Sequence, residues 1–368
     1  MRCTFGLYGT LLTLNSVCAI TQSSKDFLEF FSVFMEGIAM GMVLMENIIL
    51  NIKQTDVLRL LHCMNKFDVT SNRPIIIISR RFEKVIWIVY SGFIIFSIVI
   101  KFCVPFVPIS GEESVKVQTL YGYKHPQNRL PQCLYIPYVD ISEPNYFTFF
   151  YFLEMYWVLL IFALGISEAL LFPLITLHLV VQNFIFSKRL HALGNPPVRM
   201  RTRLLLRHNK KKHDIIQVKK CMLVHRKLLA FRELFDNVTG TSINVRIILL
   251  IIITCLSAYP VTTLSQFSVQ RQGFLIIEFS LMLSFYYYNC IMSEVLEWAN
   301  CRLRTSIYQS KWYDMCPEAQ RMMLMFLQRT QRPHYIRSLG GMVVLGNENF
   351  LRTINMIYSF IRFVNLKK

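Results

Sequence analysis

A stripe of polar side chains runs along one face of the last apolar segment, residues 347–366. The stripe consists of Arg352, Asn355, Ser359, Arg362 and Asn365, three or four residues apart. A helix in lipid turns such groups toward protein or water, because hydrocarbon offers them no hydrogen-bond partners. The spacing therefore predicts a helix that lines an aqueous passage or packs within a bundle.

Carboxylates inside the other apolar segments suggest a second kind of chemistry, the proton relay of a transporter. They are Glu29, Glu36, Glu46, Glu154, Glu168 and Glu278. Several lie near segment ends, where an ionised side chain costs little, and Glu168 lies deepest. The sequence shows no inverted repeats and no Gly/Pro-broken helix pairs of the transporter kind. A secondary transporter that uses buried glutamates therefore remains the alternative hypothesis.

No pattern in the sequence indicates catalysis. A P-loop, a GxSxG elbow, an HExxH zinc site, an EF-hand and a dinucleotide fingerprint are all missing. The ten cysteines form no CxxC pair and no metal-ligand spacing. We expect no enzyme, no metal and no cofactor. A disulfide between Cys103 and Cys133, on the predicted outer side, stays open.

The composition indicates a membrane protein, since 54% of the 368 residues are hydrophobic. Apolar runs of about 20 residues, long enough to cross the hydrocarbon layer, recur seven times. They cover 3–20, 27–50, 85–106, 147–186, 245–264, 274–296 and 347–366. The fourth is too long for one crossing and should project beyond the membrane.

The net charge of +18 is distributed unevenly. Lys and Arg crowd the loops between spans two and three, four and five, and six and seven, and are sparse in the others. Basic loops stay in the cytoplasm, so this pattern places the N-terminus inside and the C-terminus outside. This distribution argues against nucleic acid as the partner of the basic residues. It also argues against a G-protein-coupled receptor, because the N-terminus of such a receptor lies outside the cell. The predicted fold is an all-α membrane protein with seven transmembrane helices in inverted topology and a cytoplasmic helical anchor.

The first span has a second interpretation as a signal peptide, with Arg2 before the apolar run and a weak cleavage site at 16–18. Cleavage would leave six spans in the same orientation.

Two connections have distinctive compositions. The outer loop at 105–146 contains six prolines, at 105, 108, 126, 131, 137 and 144, which favour a turn-filled cap over helix. It is either a lid over a ligand entrance or a solvated connector. The inner segment at 195–212 is a basic, poorly apolar linker, and the basic run either attracts anionic lipid or serves topology alone. Beyond it, helical spacing predicts one long rod that continues into span five.

A short amphipathic helix is predicted at 317–331. Pro317 suits a first helical turn, and Glu318 suits the positive end of the helix dipole. Its apolar face consists of Ala319, Met322, Met323, Phe326 and Leu327. The helix is too short to span, so we expect it to pack on other cytoplasmic parts of the chain.

The C-terminal part of the chain carries an ordered series of short motifs. They are KWYDMCPE at 311–318, FLQRTQRP at 326–333, Gly340-Gly341, Asn349-Phe350 and IYSF at 357–360. Together these motifs resemble those of insect odorant receptors. The related gustatory receptors share the architecture but close with a T-Y-x5-Q-F helix, which this chain lacks. Family members usually start with a longer cytoplasmic arm, so the N-terminus differs from the pattern.

The resemblance implies a ligand-gated, non-selective cation channel in the plasma membrane of sensory neurons. Such receptors form tetramers with a common co-receptor, and the last helix of each subunit lines one pore. The resemblance further implies a division of the chain into five regions. Residues 1–186 contain spans one to four and the ligand-binding region, and 187–244 form a cytoplasmic linker and the extension of helix five. Spans five and six follow at 245–296, a cytoplasmic anchor at 297–346 and the pore helix at 347–368. Membrane lipid and a small volatile odorant are the other expected partners.

Two adjacent residues compete for the pore axis. The resemblance makes Ile361, three residues after the motif Tyr358, the hydrophobic gate, whereas the polar stripe turns Arg362 and Asn365 inward. Neighbouring residues lie about 100° apart on a helix, so Ile361 and Arg362 cannot both be central. Four arginines in a ring would repel cations. Arg362 therefore either lies at a subunit boundary, or this subunit is a minority in a mixed tetramer.

The candidate odorant pocket is a concentration of aromatic and aliphatic residues in the outer parts of spans two to five. Apolar burial can hold a small volatile with few hydrogen bonds. Each residue alone fits lipid or core packing better than a binding site, so the prediction concerns the cluster. Its members are Phe34, Met35, Ile38, Phe96, Met155, Tyr156 and Tyr259.

Overall fold

The computed structural model is almost entirely helical. It describes residues 9–10, 17, 26–66, 80–81, 84–85, 87–89, 91–92, 95–96, 98–99, 102–106, 111–128, 130–131, 136, 139–194, 206–262 and 269–366. The helices are α1 (Phe27–Ile52), α2 (Gln54–Lys66), α3 (Gly111–Tyr121), α4 (Pro144–His191), α5 (Leu206–Thr262), α6 (Val269–Gln309), α7 (Pro317–Thr330) and α8 (Asn347–Leu366). One two-residue antiparallel ladder, β1 (Arg337–Ser338) with β2 (Val343–Val344), encloses the Gly340-Gly341 turn.

Five segments of the described chain are long and apolar enough to cross a membrane. They lie in α1, α4, α5 and α6, and α4 supplies two of them, on either side of residues 166–170. The expectation of an all-α membrane fold is confirmed. The predicted first span and much of the third fall outside the described residues. The terminal helix α8 has the length of a span but is less apolar than these five, in keeping with its polar stripe.

The two longest helices are much longer than a bilayer is thick. Helix α4 has 48 residues and α5 has 57, which correspond to about 72 and 86 Å at 1.5 Å per residue. The prediction that α5 forms one rod is confirmed. Helix α4 is longer than one crossing, as predicted, and its projection from the membrane stays a prediction.

The predicted linker at 195–212 is wrong for its last part, because α5 already begins at Leu206. The first turns of α5 contact the turn before α7 and the first turn of α7. Lys210 Nζ donates to the carbonyl of Asp314 at 3.2 Å, and Lys211 pairs with Glu318 at 2.7 Å. Positions 195–205 lie outside the described residues.

The outer connection also differs from its prediction, since α3 forms a helix at Gly111–Tyr121. The six prolines of this region all lie outside that range, so nothing in the backbone prevents helix there. The turns that follow are ordered as expected. Lys124 N–H donates to Asp140 Oδ2 at 3.1 Å, and Asn128 Nδ2 donates to the carbonyl of Ser142 at 2.8 Å. Cys133 is outside the described residues, but Cys103 is a free, exposed cysteine, so the possible disulfide between the two is not borne out.

The buried apolar residues of the described part of the chain form three clusters along the bundle. The outer one joins Met40, Ile141 and Trp157. The central one joins α4, α5 and α6 through residues such as Phe172, Phe235, Ile247, Tyr286 and Leu296. The inner one joins the ends of α4 and α6 to α7, whose Ala319, Met323 and Phe326 are buried. Helix α7 therefore packs on the protein with the face that its apolar spacing predicts.

A buried ion pair links α1 to α5. Arg246 Nε and Nη2 donate to the two carboxylate oxygens of Glu46 at 2.7 and 2.6 Å. Both side chains are almost fully buried, at 6% and 4% exposure. Lys53 follows directly after the end of α1, and its Nζ donates to the carbonyl of Asn237 and to Thr241 Oγ1. These two contacts fix the register of α1 along α5.

Replacing Arg246 by Met should lower the free energy of unfolding by about 3–5 kcal/mol, because the Glu46 carboxylate is then buried without its counter-charge. In the double variant E46Q/R246M, the free energy of unfolding should fall by less than the sum of the decreases in the two single variants. Denaturant titration of the purified chain in mixed micelles measures this.

The matched control is Arg59→Met, which removes an exposed pair with Asp56 and should cost no more than about 1 kcal/mol. Equal losses for Arg246→Met and Arg59→Met would contradict a structural role for the buried pair.

Candidate functional site

A carboxylate of α6 holds the start of the terminal helix. Glu294 Oε1 accepts a hydrogen bond from the backbone N–H of Asn347, the first residue of α8, at 2.9 Å. Negative charge is favoured there because the first N–H groups of a helix lack intrahelical partners. A Cβ on Gly346 would lie 2.8 Å from the same oxygen. Glycine at this position therefore permits the close approach of the carboxylate.

Tyr286 of α6 makes a second set of contacts with α8. Its hydroxyl accepts from Asn349 Nδ2 at 2.6 Å and shares a hydrogen bond of 3.0 Å with Thr353 Oγ1. The ring of Phe350 lies 6.2 Å from that of Tyr286 and 4.6 Å from that of Tyr287. One face of α8 is thus bound to α6 over nearly two turns.

The opposite face of α8 points away from its own chain. Thr353 and Ile357 are buried. The predicted polar stripe is exposed at Arg352, Asn355, Ser359 and Arg362. Of the predicted pore residues, Tyr358 is 64% exposed, Ile361 is half-buried, and the side chain of Asn365 lies outside those the structure describes. The stripe and Tyr358 therefore share the exposed surface of α8, and Ile361 lies at the edge of that surface.

Side chains of α6 also hold the connection that leads into α8. Glu297 accepts from the N–H of His334, Ser293 Oγ accepts from the N–H of Ile336 at 2.9 Å, and Asn300 Nδ2 donates to the carbonyl of Arg332 at 3.1 Å. From α5, Arg232 donates to the carbonyls of His334 and Tyr335 at 3.0 and 3.1 Å. Ser293, Glu294, Glu297 and Asn300 together form what we call the polar edge of α6.

Two histidines of the cytoplasmic anchor are held neutral. Burial lowers the pKa of His225 to about 4, with help from nearby His334 and Arg329. Burial and the Arg232 guanidinium likewise lower the pKa of His334 to about 4. The His225 ring lies 4.8 Å from Phe326 in an edge-to-face contact. Both imidazoles pack as uncharged groups at cytoplasmic pH.

The structure divides the predicted pocket residues into two groups. Met35, Met155 and Tyr259 are buried, and Ile38 is half-buried. Phe34, Phe96 and Tyr156 have 42–50% of their surface exposed. The first group faces the interior of the outer half, whereas the second faces outward. The composition of a helix does not reveal which face is turned inward, and the prediction stays untested as a binding site.

The outer half contains contacts that the sequence did not reveal. The ring of Phe31 on α1 lies 5.4 Å from that of Tyr259 on α5. Glu154 and Trp157 of α4 are buried beside this region. Glu294 and Tyr286 were also missed as partners of α8. No local pattern marks them, because their partners lie more than 50 residues away in sequence.

One family model and two solved structures match this chain. A family model described as 7tm Odorant receptor matches residues 27–358. The fold is similar to that of the insect olfactory receptor OR5 from Machilis hrabei, with a TM-score of 0.78 at 12% identity over 99% of this chain and 87% of that one. The structure of that receptor in complex with eugenol gives a TM-score of 0.78 at 10% identity, over 100% and 88%. A search of curated proteins finds no match.

Replacing Tyr286 by Phe should loosen the start of α8. The change removes the hydroxyl between Asn349 and Thr353, and a buried polar group left without its partner costs about 1–3 kcal/mol. We expect hydrogen exchange at the amides of 349–353 to accelerate by about tenfold or more. Exchange measured by mass spectrometry on the purified chain tests this.

The adjacent Tyr287→Phe variant is the matched control, since Tyr287 contacts α8 through its ring. Equal acceleration in the two variants would show that the hydroxyl of Tyr286 does not hold α8.

Proposed function

This chain belongs to the 7tm odorant receptor family, and on that basis we propose that it is a subunit of a ligand-gated, non-selective cation channel. It is a multi-pass helical membrane receptor and not an enzyme. The proposal adds three elements: a pore lined by α8, a volatile ligand bound in the outer half of the bundle, and an assembly of four subunits.

The arrangement of α8 is the observation that supports the pore most directly. One face is bound to α6 through Tyr286 and Glu294, and the other carries exposed polar residues along the length of the helix. A polar helix face in a bilayer requires water or protein against it. Four copies around one axis would supply both, with water in the centre and neighbouring subunits at the sides.

The partner proposed for this assembly is the co-receptor subunit common to the family. In a mixed tetramer, few Arg362 side chains would surround the axis, so their repulsion of cations is reduced. We place the receptor in the plasma membrane of sensory neurons, with the C-terminus outside. The basic loops support that orientation.

The proposed ligand is a small volatile held mainly by apolar contacts. The buried Met35, Met155 and Tyr259 lie on α1, α4 and α5 and are the favoured pocket residues. The relative from Machilis hrabei has been solved in complex with eugenol. Apolar side chains on these three helices would suit a ligand with few polar groups.

The competing functions are less well supported. A transporter with buried glutamates would need carboxylates that exchange protons, and Glu46 is unsuited to this role because both of its oxygens are bound to Arg246. A gustatory-type channel would share this architecture, yet the chain lacks the closing motif of that group.

The proposal is tested by expressing the chain with a co-receptor in cells that lack G-protein signalling. A panel of volatiles should evoke cation current within milliseconds. Substrate accumulation without current would reject the channel in favour of a transporter.

In the same cells, Arg362→Ala should raise cation conductance by about twofold or more if Arg362 faces the passage, because one positive charge per subunit is removed. Arg362→Lys keeps the charge and should resemble the wild type. Unchanged conductance, selectivity and block in Arg362→Ala would place the residue away from the passage.

The pocket is tested by comparing two neighbours on α4. Met155→Ala should raise the half-maximal concentration of an activating volatile by about tenfold, since it removes buried apolar contact. Tyr156→Ala should leave that concentration nearly unchanged because Tyr156 faces outward. Met155→Leu, which conserves volume, should restore most of the sensitivity. The reverse order of effects would exclude this pocket, provided that surface expression is equal.

A further inference from the structure

An exposed cluster of two cations and two aromatic rings lies where α4 and α6 meet. Arg302 Cζ lies 4.8 Å from the ring centroid of Phe184 and 5.6 Å from that of Trp298. Lys188 Nζ lies 5.4 Å from the same Phe184 ring. Both cations are exposed, as is Trp298 at 53%. We call these four residues the α4–α6 cationic patch.

The cations of the patch have no acceptor in the part of the chain that the structure describes. Other arginines of the anchor are paired there, such as Arg304 with Glu297 and Arg232 with Asp236. Arg302 and Lys188 contact aromatic faces instead. Stacking positions a guanidinium while its N–H groups, which lie in its plane, stay available. The patch therefore presents oriented donors to something outside this chain.

The position of the patch matches the edge of the bilayer. Predicted spans four and six end at Phe186 and Leu296, so Lys188 and Arg302 lie about 3 and 9 Å further along their helices. Helical side chains tilt toward the N-terminus, which in both α4 and α6 is the direction of the membrane. The headgroup layer is about 5–8 Å thick. Both charged groups can therefore reach it, and Trp298 lies where interfacial tryptophans are enriched.

We propose that the α4–α6 cationic patch binds the headgroup of an anionic phospholipid in the cytoplasmic leaflet. The guanidinium fork of Arg302 matches two phosphate oxygens, and the Lys188 ammonium supplies a second positive charge. The cytoplasmic leaflet carries the negative lipids that such a pair attracts. The proposal depends on the orientation predicted from the basic loops and is independent of odorant gating.

The test compares lipid retention by variants of the full-length chain. The purified protein is titrated with phosphatidylserine or with the uncharged phosphatidylcholine of the same acyl chains, and bound lipid is counted by native mass spectrometry. In K188Q/R302Q the apparent affinity for phosphatidylserine should fall by about 25-fold, or about fivefold for each charge removed. Affinity for phosphatidylcholine should stay unchanged.

The matched control is R226Q/K227Q, which removes two exposed charges from α5. Arg226 lies 19 residues before the start of span five, about 28 Å from the predicted bilayer edge. This variant should bind phosphatidylserine like the wild type. The single variant Arg302→Lys keeps the charge but loses the planar fork, so its affinity should fall between those of the wild type and K188Q/R302Q.

An equal fall in phosphatidylserine affinity in K188Q/R302Q and R226Q/K227Q would overturn the proposal, because the overall charge of the protein would then explain binding. Unchanged phosphatidylserine affinity in K188Q/R302Q would also overturn it, and would indicate that the patch contacts protein. If K188Q/R302Q elutes as an aggregate, the Arg302→Lys comparison decides between these results, and equality with the wild type counts against the lipid site.

Discussion

The connection between α7 and α8 depends on the polar edge of α6 for hydrogen bonds to its backbone, and the N–H of Ile336 is buried among these groups. Ser293, Glu297 and Asn300 bind the backbone of 332–336, and Glu294 binds the first amide of α8. A buried N–H or C=O without a partner costs about as much as a lost hydrogen bond. The path of the connection, and with it the position of α8, therefore follows α6.

A single helix joins the other regions. Along α5, Tyr259 contacts Phe31 in the outer half, Arg246 pairs with Glu46 at the middle of the bundle, and Arg232 binds the connection to α8. Helix α1 is bound to α5 at the first two of these levels. The proposed ligand region and the cytoplasmic anchor thus share one continuous rod. Side chains of α5 and α6 bind the backbone of the connection that leads into α8. A displacement of α5 relative to α6 would therefore move α8, because closely packed groups are hard to compress.

Local signals in the sequence were enough to predict α7 and α8. Pro317, the apolar period after it and the run that begins at Asn347 match the helices within a residue. The helix α3 was missed because the prolines around it dominated the composition of the loop. The Glu46–Arg246 and Tyr286–Thr353 contacts could not be predicted, since partners 200 and 67 residues apart leave no periodic mark.

The candidate pocket shows the same limit in another form. Hydrophobic residues all around α1 and α4 conceal which face is turned inward, so Met155 and its neighbour Tyr156 looked equivalent. In α8 the polar residues reveal the phase of the helix. The exposed stripe from Arg352 to Arg362 was therefore predicted correctly as a distinct face, although its surroundings in an assembly stay a prediction.

The exposed polar face of α8 also has a consequence for a single subunit in the membrane. With α8 in the bilayer, an unassembled subunit would turn Arg362 and its polar neighbours toward acyl chains. Each arginine at the centre of a membrane helix costs about 2.5–3.5 kcal/mol on insertion scales, and less near the ends. A subunit without neighbours would therefore leave these polar groups without hydrogen-bond partners, whereas water or protein against the stripe would supply them.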